Sequence, residues 1–315
     1  MRMTGRSPNV FSRRAFARTM AGAALIPVCG LAEPDPLDWD RPLAPRLSLE
    51  RQYRADAQVL LLGLPLLHKQ NVGGGSVVWR EFQSDAPARL LEFRGFSAPE
   101  RAAGLNRMGF IREMARFQNN RAECVYFGLM TSSPEESADE ARKALHSHAK
   151  EQVFTAIDGH IGGGEIETSV AHFAVPASIS GEQSAELIER ARRALASVAK
   201  TSAPQPANET FQPFLQTMAE MLQSNGEEGR YLYMGRSYRI RLARSLDPKA
   251  AANFRAKGLI PSASQVTRIS GHVRREPGGK ETEFRLWIAD GMERPLPLRI
   301  EYQPKSYLRL VFEAV

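Results

Sequence analysis

Apolar and polar side chains alternate along much of the C-terminal third of the chain. In "YRIRLAR", Tyr238, Ile240 and Leu242 fall in one phase and Arg239 and Arg241 in the other. That period of two is the pattern of a strand with one buried face. "TEFRLWIAD" sets Phe284, Leu286 and Ile288 against Glu283, Arg285 and Trp287. "LRIEY" sets Leu298, Ile300 and Tyr302 against Arg299 and Glu301, and "YLRLVFEA" sets Leu308, Leu310 and Phe312 against Arg309, Val311 and Glu313. Gln303-Pro304-Lys305-Ser306 is a turn with proline at its second position. The last three strands are expected to form an antiparallel meander, apolar on one face and charged on the other.

The first half mixes strands with helices. Tyr53, Ala55, Ala57, Val59 and Leu61 alternate with more polar neighbours. Gly73-Gly74-Gly75 is read as a bend before a second strand, Ser76 to Phe82, and Arg89 to Phe96 as a third. Ser97, with Glu100 three positions on, predicts a capped short helix over Pro99 to Arg107. Cys124 to Met130, Val153 to Ile157 and Glu165 to Val175 read as strands, the last two flanking Gly162-Gly163-Gly164. Ser133-Pro134-Glu135-Glu136 opens a helix to about His148. Leu187, Ile188, Ala191, Leu195 and Val198 recur at helical spacing after Ser180, and a further helix is expected near Phe211 to Gln223. The class this predicts is α+β: a long curved antiparallel sheet, half-barrel-like, with packing helices.

The N-terminus has a different character. Residues 1–32 hold Arg2, Arg6, Arg13, Arg14 and Arg18, no acid, and a short apolar run from Met20 to Ala32. Basic residues, a short apolar run and small residues at the end predict an export signal. The apolar run is shorter than the roughly 20 residues that span a bilayer. Ser12-Arg13-Arg14-Ala15-Phe16 resembles the twin-arginine export motif, with Arg13, Arg14 and Phe16 as the signal residues. Cleavage after Ala32 would leave a periplasmic chain with no transmembrane span. Cys29 opens a second reading as a lipoprotein, although Val28 stands where a small residue is needed. The expected divisions are 1–32 as signal, 33–198 as the N-terminal part of the sheet with helical insertions, 199–210 as a proline-bearing connector, and 211–315 as the C-terminal meander.

Removing the signal changes the charge. The net +7 of the whole chain falls to about +2 without its five arginines, so the basic excess lies largely outside the folded body. That argues against nucleic-acid binding, which needs the excess on the fold. Cys124 is then the one cysteine left, so the fold rests on burial and not on a disulfide. "AECVYFGLM" makes it a small strand hydrophobe.

The chemistry is sparse. No nucleophile elbow, phosphate loop or zinc spacing occurs, so no metal and no cofactor is expected. "DGHIGGGEIE" holds the best polar constellation. Glu165 and Glu167 share a strand face near Asp158 and His160, and all four, Asp158, His160, Glu165 and Glu167, are weak catalytic candidates for an envelope hydrolase of glycans or esters. Arg239, Arg241 and Arg299, with Trp287 and Tyr302, are candidate ligand-binding residues, because arginines beside aromatics suit headgroups or glycans. The partner classes left open are lipid, glycan and an envelope protein.

"EFRLWIADGMERPLPLRIEYQPKSYLRLVFEA" and "YRADAQVLLLGLPLL" resemble the closing and opening strands of a family of exported bacterial β-rich domains of unknown function. The resemblance spans Gln52 to Val315. It implies a curved antiparallel sheet, similar to the half-barrels of periplasmic lipoprotein carriers, and carries over no catalytic residue. The function expected is a non-catalytic binder of an amphipathic or polymeric envelope component. A hydrolase and an assembly factor remain alternatives.

Overall fold

The computed structural model describes residues 45–61, 64–82, 87–102, 107–118, 121–132, 151–176, 179–204, 212–233, 236–279 and 281–315. The chain divides into two units, Met1–Pro34 and Asp35–Val315, and all described residues belong to the second. Arg13, Arg14, Phe16 and Cys29, and the helix expected over 133–148, lie outside the described residues.

The second unit is one antiparallel sheet of fourteen strands in the order β8-β7-β6-β5-β4-β3-β2-β1-β14-β13-β12-β11-β10-β9. One arm runs through β1 (Leu47–Leu61), β2 (Leu64–Phe82), β3 (Ala88–Ser97), β4 (Met108–Gln118), β5 (Arg121–Ser132), β6 (Glu151–Gly162), β7 (Glu165–Pro176) and β8 (Thr201–Pro204). The other contains β9 (Glu228–Tyr233), β10 (Arg236–Leu246), β11 (Val266–Arg275), β12 (Glu281–Ala289), β13 (Arg299–Lys305) and β14 (Leu308–Ala314). The arms join where β1 pairs with β14, Tyr53 opposite Ala314. The sheet does not close: β8 and β9 are its two edges.

Three described helices hold this sheet in shape: α1 (Ser184–Ala196), α2 (Phe214–Ser224) and α3 (Pro248–Ala256). On α1, Leu187, Ala191 and Leu195 form a buried stripe at a spacing of four. The stripe packs on Phe110, Met130, Phe154 and Val175, the outer side of β4 to β7. Ala251 and Phe254 of α3 cover Val266, Trp287 and Ala289 on the same side of the other arm. The middle helix, α2, lies on the inner side. Its Leu215 and Ala219 meet Trp79 and Leu91 of one arm, while Met218 and Met221 meet Ile240, Leu242, Ile269 and Leu286 of the other. One helix touching both arms means that the sheet curls around it. Burial of Gln216, Thr217, Met218 and Ala219 in succession fits a helix enclosed on nearly every side. The β9 edge is tucked in too, with Leu232 against Ala115, Phe117, Ile161 and Ile166.

The curl needs small residues at its tightest point. A Cβ on Gly95 would stand 3.1 Å from the Phe312 ring, and one on Gly75 3.4 Å. Phe312 therefore lies across β1 to reach β3, where its edge meets Phe93 at 5.9 Å.

The closing meander β12-β13-β14 is as expected, with Leu286 opposite Ile300 and Ile300 opposite Phe312. Two local expectations change. Gly73 to Gly75 do not end a strand; β2 runs through them, paired to both β1 and β3. Ser97 caps no helix: its Oγ accepts from the Arg107 N–H at 2.7 Å and ties the β3–β4 connection, with residues 99–102 in a turn. Thr201–Pro204, inside the expected connector, pairs with β7 as an edge strand.

Candidate functional site

The inner face has a closed end and an open end. Polar residues around α2 lock the closed end. Glu113 of β4 is buried, 2% exposed, and accepts from the Leu215 N–H at 3.0 Å and the Gln216 N–H at 2.8 Å. Pro213 at the helix start supplies no side-chain cap, so a carboxylate from the sheet meets donors that α2 itself leaves unpaired. Desolvation pushes the Glu113 carboxyl up to about 7, against the backbone hydrogen bonds and nearby Arg89 that favour its ionised form. Arg89 donates from Nε to Gln216 Oε1 at 2.9 Å, and its guanidinium lies over Trp79 and Phe117 at 5.3 and 4.9 Å. Beyond it, Arg294 donates to both oxygens of Glu81 at 2.7 and 2.9 Å, and this pairing holds the Glu81 carboxyl below its ordinary value.

The open end is where the β1–β2, β9–β10, β11–β12 and β13–β14 connections turn, all on one side because each neighbour is antiparallel. Tyr302 of β13 stands here. Burial pushes its phenol up, yet 41% of the residue is accessible to solvent. Tyr302 thus stands where the inner face meets solvent. Tyr231 stacks on Tyr238 at 5.0 Å, and Tyr233 meets Tyr238 edge-on at 6.1 Å. Burial is also the first cause that pushes the Tyr233 phenol up to about 12, followed by the neighbouring Tyr238 and Tyr302 phenols. Phe284 lies directly opposite Tyr302. On the other arm a row of small residues continues inward: Gly95 opposite Gly109, Gly109 opposite Thr131, Thr131 opposite Thr155, and Thr155 opposite His172. Thr155 Oγ1 and His172 Nδ1 are 3.0 Å apart. A Cβ on Gly109 would meet nothing within 4 Å. Aromatic rings on one arm and, on the other, a floor of small residues that no described residue covers at Gly109 make a recess suited to an apolar chain.

The residues expected to bind ligand divide between the faces. Tyr302 is on the inner face. Arg239, Arg241, Trp287 and Arg299 are on the outer one. Trp287 is buried beneath α3 and donates its indole N–H to Asp247 Oδ2 at 2.9 Å. The Arg299 guanidinium lies over Trp287 at 5.0 Å and pairs with Glu301 and Glu313. Arg239 pairs with Glu276 at 2.9 Å and Arg241 with Glu228 at 3.0 Å.

Asp158, His160, Glu165 and Glu167 share the outer face of the β6–β7 hairpin, and His160 lies directly opposite Glu167. Glu165 accepts from Ser202 Oγ at 3.1 Å, and Glu167 pairs with Lys200 at 3.7 Å, so both carboxylates fasten the β8 edge. Among the described residues no group of three His, Cys, Asp or Glu is placed to hold a metal ion. Sequence reasoning missed Glu113, Arg89 and Gln216. The available signal was phase: in "IREMARF", Glu113 falls in register with Ile111, Ala115 and Phe117, a charge on the buried side of a strand.

No protein-family model matches the chain, and no curated protein matches it. A solved structure, that of a beta-barrel-like protein of domain of unknown function DUF1849 from Brucella abortus, aligns at a TM-score of 0.38 with 10% identity, over 86% of this chain and 98% of that one. Among the described residues no helix is long and apolar enough to cross a membrane.

Proposed function

We propose that this protein is an exported, non-catalytic binding module of the cell envelope. It takes the apolar part of an amphipathic molecule, a lipid or lipid-like chain, into the open end of its inner sheet face. The observation that carries this reading is Tyr302, enclosed by aromatic neighbours yet 41% accessible. Export rests on the twin-arginine-like segment at Arg13 and Arg14. The test is native mass spectrometry of the purified protein with titration of a fluorescent acyl chain. Bound lipid, and uptake weakened about tenfold or more by Tyr302→Asp, is the expected result. A protein free of ligand that takes up no acyl chain overturns the reading.

A second reading has one observation in its favour, the placement of His160 opposite Glu167 beside Asp158 and Glu165. As an envelope hydrolase the protein would lose turnover of ester or glycoside substrates in the Glu165→Ala, Glu167→Ala double variant. As a binding module it keeps acyl-chain uptake in the same variant.

A further inference from the structure

The end of the sheet at which the recess opens also carries exposed apolar side chains and exposed cations. The β1–β2 hairpin has the sequence Val-Leu-Leu-Leu-Gly-Leu-Pro-Leu-Leu from Val59 to Leu67. Of its described side chains, Leu66 is 71% exposed, Leu67 59% and Val59 37%. Three leucines and valines left in water on one hairpin form a patch that a soluble surface ordinarily avoids. The hairpin is held in this pose. Asp56 Oδ1 accepts the N–H of Asn71 at 2.7 Å, and Asp56 Oδ2 lies 3.3 Å from His68 Nε2. These contacts fix the irregular stretch between the Ala55–Gly73 and Ala57–Lys69 pairs.

Cations predominate among the exposed charges at this end. Lys69, Arg236, Arg274 and Arg275 are exposed; Arg236, Arg274 and Arg275 lie at or beside connections on the same side of the sheet, and Lys69 lies further along β2, opposite Ala57. Among the described residues there, Glu276 pairs with Arg230 and Arg239, Glu281 with His272, and Asp56 with Arg54 and His68. Exposed Glu283 lies there as well, opposite His272, and the exposed lysine and arginines still outnumber the exposed acids. Exposed leucines and exposed cations at one end of the sheet complement an anionic bilayer: acyl chains for the leucines, headgroup phosphates for the cations.

We infer that this end of the sheet docks on the surface of an anionic phospholipid bilayer, with Leu66 and Leu67 entering the interface and Lys69, Arg236, Arg274 and Arg275 meeting its headgroups. Docking would present the mouth of the recess to the membrane. The inference rests on the recess reading only in its choice of a lipid partner.

The test is sedimentation of the full-length protein with vesicles of phosphatidylcholine alone and of phosphatidylcholine with phosphatidylglycerol. Wild-type protein is expected to partition at least tenfold better onto the anionic vesicles. Leu66→Ser with Leu67→Ser should reduce that binding about tenfold or more. Arg274→Glu with Arg275→Glu should reduce it at least roughly 25-fold, about fivefold for each charge near the surface. All four positions are exposed, and an unchanged circular dichroism spectrum checks that the fold is retained. Acyl-chain uptake measured in parallel separates the two claims: uptake retained in the leucine variant with vesicle binding lost supports docking, and uptake lost only in Tyr302→Asp belongs to the recess. Equal sedimentation of wild type and both variants overturns the inference. So does self-association that the leucine pair abolishes in the absence of any vesicle binding, because the patch would then be an interface between copies.

Discussion

Gln216 donates its backbone N–H to the Glu113 carboxylate at 2.8 Å and its side-chain amide to the Glu113 carbonyl at 3.2 Å. The two residues are 103 positions apart, and between them they fasten α2 inside the curl. Removing the carboxylate strands the N–H groups of Leu215 and Gln216. Glu113→Ala is therefore expected to destabilise the fold by about 3 kcal/mol, the scale for a buried, charge-bearing hydrogen-bond partner. Glu113→Gln keeps one acceptor oxygen and should cost less. Urea unfolding of the two variants beside wild type measures the difference.

The same carboxyl makes stability depend on pH. In the unfolded chain Glu113 titrates near its ordinary value of 4.5, and in the fold near 7. Between those values the folded state holds a proton that the unfolded state has released, so stability falls as pH rises through this window. The slope is at most about 1.4 kcal/mol per pH unit from this one group. Glu113→Gln should flatten that part of the profile. The comparison is the urea midpoint of wild type and variant at about pH 5 and about pH 7.5.

The sheet was legible in the sequence where one face meets apolar partners and the other meets water. Tyr238, Ile240 and Leu242, then Phe284, Leu286 and Ile288, keep their phase and line one side. Where both sides are covered, alternation fades. On β4, Phe110 lies under α1 while Ala115 meets the β9 edge, and the strand gave no clean period. The recess was half legible. Tyr302 belonged to the inward phase, but the arginines grouped with it point outward, and Trp287 serves the outer core. Period alone tells that two residues share a face and not which helix lies over it. Phe312 spanning to Gly95 leaves no local mark, and the phase of Glu113 marks a buried charge without naming α2 as its partner, because each joins segments about a hundred or more positions apart in a curl that only the assembled sheet defines.

Asp247 does two jobs at α3. Its Oδ1 accepts from the Ala250 N–H at 2.9 Å, and its Oδ2 accepts from the Trp287 indole at 2.9 Å. The indole hydrogen bond is the first cause that holds its carboxyl below the ordinary value of 3.8. The stabilisation it gives is complete above that value and is lost as pH falls through the lower, folded one. Asp247→Ala removes a helix cap, worth about 1 kcal/mol, and leaves a buried indole N–H unpaired, about 1–3 kcal/mol more. Chemical unfolding at neutral pH should show a loss of about 2–4 kcal/mol, with Trp287 fluorescence shifted to longer wavelength as water reaches the ring.

Two neighbouring glycines on the inner face should respond in opposite ways. Gly95 and Gly109 are cross-strand partners, but a Cβ on Gly95 would press on Phe312 at 3.1 Å and one on Gly109 would meet open space. Gly95→Ala must displace an aromatic ring at the tightest part of the curl and is expected to cost about 1–3 kcal/mol. Gly109→Ala occupies no one else's volume and restricts the unfolded chain, so its stability should stay within about 1 kcal/mol of wild type. Gly109→Phe carries a ring into the recess itself, where it would stand in the place of an acyl chain. Thermal unfolding near the wild-type temperature together with lost uptake of the fluorescent acyl chain is the expected outcome. Full uptake by a well-folded Gly109→Phe protein would mean that the ligand does not lie on this floor.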